Sequence, residues 1–236
     1  MENETIYYDT LRETEVEILK KECLRVIRME PKDNICDNFF NDLCSIFSCC
    51  CGVCDTSSPG ITEDVIKVTE ILKNNDTIPK LFYQEILKED LEEISEAMSY
   101  GYGLPYEKVD PLILAAALKT FCRDHLDYYL PKDIHLLLLY SYRDNEKERK
   151  EAILRRVPFI MSEHYRLFFI QMFRLFRGID KEYESSKVNL EDMLDMFSTL
   201  LIKEPEGSAT FNGYTKKLIL KDLMDTDFTK VPKEFF

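Results

Sequence analysis

Apolar residues recur along most of the chain with the spacing of one helix face, not the alternation of a strand. Between residues 11 and 29, Leu11, Val16, Ile18, Leu19, Leu24 and Ile27 fall near a 3.6-residue period, and Pro31 stops the run. Ile35, Phe39, Leu43 and Phe47, four apart, predict a short helix over about 34–47. The period resumes after Thr62 with Val65, Val68, Ile71 and Leu72, and again over 85–99 with Ile86, Leu87, Leu91, Ile94 and Met98. Residues 110–123 make the most apolar element. Every residue from Leu112 to Leu118 is hydrophobic, so that helix is expected to be central and buried on most sides.

The second half reads from its punctuation. Pro131 suits the first position of a helix running through Leu139, and a charged helix follows from about Asn145 to Arg156, ended by Pro158. Ser162 is an N-cap candidate for a long helix to about Arg177. Asn189, with Asp192 three residues later, resembles a capping arrangement opening a helix to Ile202, and a last helix is expected over Tyr214–Met224. The stretch SYGYGLP, residues 99–105, reads as a loop. No segment alternates with period two for long and no repeat is found, so the expectation is an all-α bundle of seven to nine helices. The segment SCCCGVCDTSSPG breaks the pattern at Gly52, Pro59 and Gly60. It suggests an N-terminal helical extension over 1–48, a main domain over 49–204 and a C-terminal extension over 205–236.

The formal charge of −13, with no basic arm at either end, argues against a nucleic-acid partner, because phosphate binding needs clustered Lys and Arg. The longest apolar run, Leu43 to Cys54, is about a dozen residues where a membrane span needs roughly 20. Met1 to Asp9 is acidic and polar, without the apolar core of a signal peptide. A soluble protein of the reducing cytoplasm is the expectation, its eight cysteines free thiols. Cys49, Cys50, Cys51 and Cys54 leave three readings open. They are small buried apolar groups by default; Cys51-x-x-Cys54 has zinc-ligand spacing, but no second such pair exists and His125, His135 and His164 are scattered. S-acylation of the cluster would give peripheral membrane association. Neither metal nor cofactor is expected. The acidic run Glu89–Glu96 is read first as a solvated face, second as a surface that steers a basic partner.

Three motifs carry a resemblance. The first is LKTFCRDHLDYYLP, residues 118–131. It resembles the RhoGAP-family signature L-K-x-F-L-R-E-L-P-E-P-L-[LI]-P, with Lys119 and Arg123 on its two basic positions, four apart on one helix face. Here Leu126 and Tyr128 stand at proline positions and His125 at a leucine. The second, VNLEDMLDMFSTLLI at 188–202, is similar to the late helix M-T-x-x-N-L-A-x-x-F-x-P-x-L. Met193, Phe197 and Leu201 keep its apolar frame, Asp192 falls on the asparagine and Thr199 on the proline.

The third is KLFYQEIL, residues 80–87, where active members carry G-[IL]-F-R-x-S-G. Leu81 and Phe82 keep the buried frame, Tyr83 occupies the arginine-finger position, and neither glycine is present. The resemblance covers about residues 50–204. It implies a RhoGAP-like helical bundle acting in signal transduction on a Rho/Rac/Cdc42-type small GTPase, bound through Lys119, Arg123, Tyr83, Gln84 and Asp192. It also implies lost GTPase activation. A tyrosine cannot supply the charge whose contribution is about 10³–10⁵ in rate, and nearby Lys80 differs in geometry and stem flexibility. No intrinsic catalysis is expected, since no P-loop, dinucleotide, zincin or nucleophile-elbow motif occurs. A genuine activator working without its own finger, and a helical peptide-binding adaptor, are the alternatives.

Overall fold

The computed structural model describes residues 6–29, 60–86, 88–144, 146–205, 210–232 and 235. The helix expected over 34–47 and the Cys49–Cys54 cluster lie outside the described residues. Eleven α-helices are present among them: α1 Glu13–Met29, α2 Glu63–Lys73, α3 Lys88–Tyr100, α4 Pro111–Asp124, α5 Lys132–Arg143, α6 Lys147–Leu154, α7 Val157–Ile160, α8 Glu163–Lys181, α9 Tyr183–Ser186, α10 Leu190–Leu201 and α11 Gly213–Met224. The four-residue turns α7 and α9 account for the excess over the seven to nine expected. The fold is all-α, with one antiparallel pair of two-residue strands, β1 Ile6–Tyr7 and β2 Lys230–Val231.

Helix starts follow local chemistry. Thr62, Ser162 and Asn212 each accept a hydrogen bond from the amide three residues on, and Asp110 accepts from Leu112 N with Pro111 at the first helical position. Asn189 and Asp192 form a reciprocal capping box at the start of α10, as their spacing predicts. Several boundaries differ from the sequence reading, and Pro158 lies within α7 instead of ending α6, which stops at Leu154. Pro131 is the N-cap of α5 and not its first residue, and α5 runs on to Arg143. α3 begins at Lys88, because residues 80–86 are held as a loop by bonds outside the helix. α8 passes through Gly178 to Lys181. There glycine marks a close approach and not a stop: a Cβ at Gly178 would lie 2.4 Å from Asp76 Oδ2.

The chain divides into two compact units, the first formed from Met1–Ser58, Leu130–Ile160 and Thr229–Phe236, the second from Pro59–Tyr129 and Met161–Phe228. In the first, α1 packs on α7 and α5 on α6. Leu19, Cys23 and Ile27 of α1 are buried, as are Ile134 and Leu138 of α5. Tyr8 stacks on Phe159 at 6.0 Å, and Arg28 pairs with Asp133 at 2.7 Å.

In the second unit, α2 lies along α8, α3 along α4, and α10 along α11, with α4 also touching α2 and α10. Its core is rich in phenylalanine: Phe121, Phe168, Phe169, Phe176 and Phe197 are fully buried, each contributing about 1.5–3 kcal/mol by burial. Leu114, Ala115, Ala117 and Leu118 of α4 have no exposed surface, as the apolar run predicts. Each unit holds one described thiol. Cys23 and Cys122 are both free and buried, and burial pushes each thiol up to about 12. No helix among the described residues is long and apolar enough to cross a membrane.

Candidate functional site

The loop between α2 and α3 is built around two buried side chains. Leu81 and Phe82 are each 2% exposed, and the Phe82 ring meets Phe197 of α10 edge-on at 5.1 Å. Burying this pair forces the next residue outward: Tyr83 is 46% exposed. A tight turn makes this reversal, with Tyr83 N donating to Lys80 O at 2.8 Å. Lys80 has φ +54°, a left-handed conformation that costs a residue with a Cβ about 1–2 kcal/mol. Its own amide donates to Ser186 O at 2.7 Å, directly before Lys187 at φ +55°. Among the described residues these two lysines are the non-glycine positions with positive φ, and they meet at one junction.

Two further elements converge on the loop. Lys119, on the face of α4, donates from Nζ to the carbonyl of Phe82 at 2.9 Å. Burial, and then the charge of Arg123, hold its ammonium below the usual lysine range. The amino end of α10 supplies the other wall. The Tyr83 hydroxyl lies 3.5 Å from Asp192 O, at the outer limit for a hydrogen bond. Its pKa is raised by burial first, then by Asp192 and Asp195.

The Asp192 carboxylate is turned toward its own helix start, accepting from Asn189 N at 3.2 Å. A charge there is favoured by the helix dipole. Gln84 is exposed beside Tyr83. One turn on from Lys119, Arg123 is exposed and holds Asp124 with both ends of its fork, at 2.8 and 2.7 Å. Lys119 is thus tied to the loop at Phe82 and Tyr83 reaches Asp192, with Arg123 one turn on from Lys119 along α4.

The sequence reading missed two residues. Just past α10, Lys203 donates from Nζ to Arg123 O at 3.2 Å and also to Leu126 O. Its neighbour Glu204 accepts from the Tyr128 hydroxyl through its backbone carbonyl at 3.0 Å. These contacts span more than 70 positions, so no local pattern could signal them.

A profile of the RhoGAP domain matches residues 63–206, more than half of the chain. The chain belongs to the RhoGAP domain family. Solved structures share the fold. The RhoGAP domain resembles human Rho GTPase activating protein 15 at 10% identity and a TM-score of 0.57, covering 84% of this chain and 97% of that one. It also resembles the BH domain of Graf, the GTPase regulator associated with focal adhesion kinase, at 9% identity and a TM-score of 0.55, covering 70% and 93%. An uncharacterized protein of Encephalitozoon cuniculi (strain GB-M1) is 26% identical over 236 residues, 98% of this chain and 95% of that protein. RhoGAP domains regulate Rho-type small GTPases, so that general role follows from membership.

Proposed function

We propose that this RhoGAP domain binds a Rho-family GTPase, in the GTP-bound form, as a non-catalytic module. Lys119, Arg123, Tyr83, Gln84 and Asp192 form the contact surface. The observation that carries this reading is the backbone of Lys80. On the motif alignment Lys80 takes the place of the first glycine, and it keeps the left-handed conformation for which a glycine is suited. Leu81 and Phe82 fill the buried apolar positions, and the residue thrown outward, where the finger arginine would stand, is Tyr83.

The turn is thus one that a glycine would suit, and the residue at its tip carries no charge. A phenol supplies no fixed positive charge, and beside it stands Asp192, whose carboxylate, though turned toward its own helix start, adds a negative charge near where the reaction builds more. Such a domain acts as an effector, a scaffold or a competitor of active relatives in the cytoplasm.

The test is a panel of Rho-, Rac- and Cdc42-type GTPases, loaded with GTP or GDP, measured for binding and for single-turnover hydrolysis. The expected result is GTP-dependent binding with less than about tenfold stimulation, against the 10³–10⁵ that a finger supplies. Strong stimulation by the unaltered protein favours an activator working without its own finger. Absence of binding across the panel favours an adaptor for other partners.

A further inference from the structure

We propose that Lys203 is a positioning residue for Arg123: it fixes the last turn of α4 and so the direction in which Arg123 offers its guanidinium to the GTPase. The inference rests on the proposed function and deepens it.

The need for such a residue follows from what this chain lacks. In the family signature the segment after α4 carries two prolines, each with a fixed φ and a stiffened predecessor. Here Leu126 and Tyr128 stand at those positions, so the covalent stiffness is missing. The structure replaces it with two hydrogen bonds from one place. Lys203 holds the carbonyl of Leu126, and Glu204, the next residue, holds the hydroxyl of Tyr128. Both former proline positions are thereby tied to the segment that follows α10.

The helix end adds a second reason. The last carbonyls of α4 lack helical donors. His125 N and Leu126 N both turn back to Phe121 O at 2.9 Å. The Arg123 carbonyl accepts from Lys203 Nζ instead, and the ammonium lies at the negative end of the helix dipole. The residue capped in this way is the one whose side chain faces the partner.

A merely structural cap would lower stability without singling out Arg123, which sets the test. Four forms of the full chain are compared: unaltered, Arg123→Ala, Lys203→Met, and both together, with Lys203→Arg as the conservative variant. Binding is measured to the GTPase from the panel loaded with a non-hydrolysable GTP analogue. Arg123→Ala is expected to weaken binding by about tenfold, and Lys203→Met by about fivefold. Lys203→Met is expected to add nothing in the Arg123→Ala background, and Lys203→Arg to stay within about twofold of the unaltered chain.

On the free protein, Lys203→Met should also shift the NMR signal of Arg123 Nε and speed amide exchange at His125 and Leu126. An equal loss from Lys203→Met with and without Arg123 overturns the proposal. So does an unchanged Arg123 signal in the free protein, whether or not any GTPase binds. Absence of binding by the unaltered chain, with the Arg123 signal still moved by Lys203→Met, overturns the GTPase reading and upholds the hold of Lys203 on Arg123.

Discussion

Two loops bracket α3, and both turn the chain through left-handed residues. The loop after the helix does so with Gly101 at φ +69° and Gly103 at φ +67°. It is pinned by the buried carboxylate of Asp64, whose Oδ2 accepts from Gly103 N at 2.8 Å and from the Tyr106 hydroxyl at 2.9 Å. The loop before the helix makes its turn with Lys80, which bears a Cβ, and is pinned by Lys119 at the carbonyl of Phe82 and by Ser186 at the amide of Lys80. The glycine loop is low in strain and its anchor is a single side chain in the first turn of α2. The lysine loop stores strain at the surface where Tyr83 and Asp192 meet, and its anchors reach it from α4 and α9. Bonds from neighbouring elements can hold a left-handed turn even at a residue that bears a Cβ.

On activity the largest effect is expected from restoring the tip: Tyr83→Arg with Asp192→Asn should raise single-turnover GTP hydrolysis by about tenfold or more, a part of the 10³–10⁵ of a complete finger. Tyr83→Arg alone should do less, because the arginine then lacks its orienting partner. If the double variant binds GTPase but stays inactive, the block moves to Ile86, at the second glycine position of the motif.

On stability the largest effect is expected from Asp64→Ala, which strands the Gly103 amide and the buried Tyr106 hydroxyl. Urea unfolding should show a loss of about 2–4 kcal/mol. Gly101→Ala should cost about 1–2 kcal/mol through its positive φ alone, since the nearest atoms to the added Cβ lie at ordinary contact distance, 3.6 Å. Lys80→Gly should have the opposite sign and stabilise by about 1 kcal/mol in the same assay. Shifts of the same sign from these last two would mean that Lys80 is held without strain.

The sequence made the helices legible wherever a cap and an apolar stripe agreed, as at Ser162 and Asn189. It misled where one residue type serves two purposes. The helix expected to end at about Arg177 runs on through Gly178, which lies inside α8 against Asp76. Ile86 continues the apolar period of α3, yet it lies in the loop before it. The motif frame placed Lys119, Arg123, Tyr83 and Asp192 in order along the chain. What ties α4 and α10 to the Tyr83 loop is the Lys119 bond to Phe82 and the Phe82–Phe197 contact, both long-range. Lys203 was invisible for the same reason: a lysine just past a helix resembles any solvated one until the fold brings it to two carbonyls.

The two buried thiols give the molecule a pair of internal clocks. Cys23 belongs to one compact unit and Cys122 to the other, and burial keeps each thiol protonated far above neutral pH. A thiol-reactive label can reach either one only when its own surroundings open. After a short labelling pulse and peptide mapping by mass spectrometry, the two modification rates report the opening of each unit separately. A single gradual loss of signal would thereby be resolved into two events, and the protein would serve as its own ruler of cooperativity without any engineered probe.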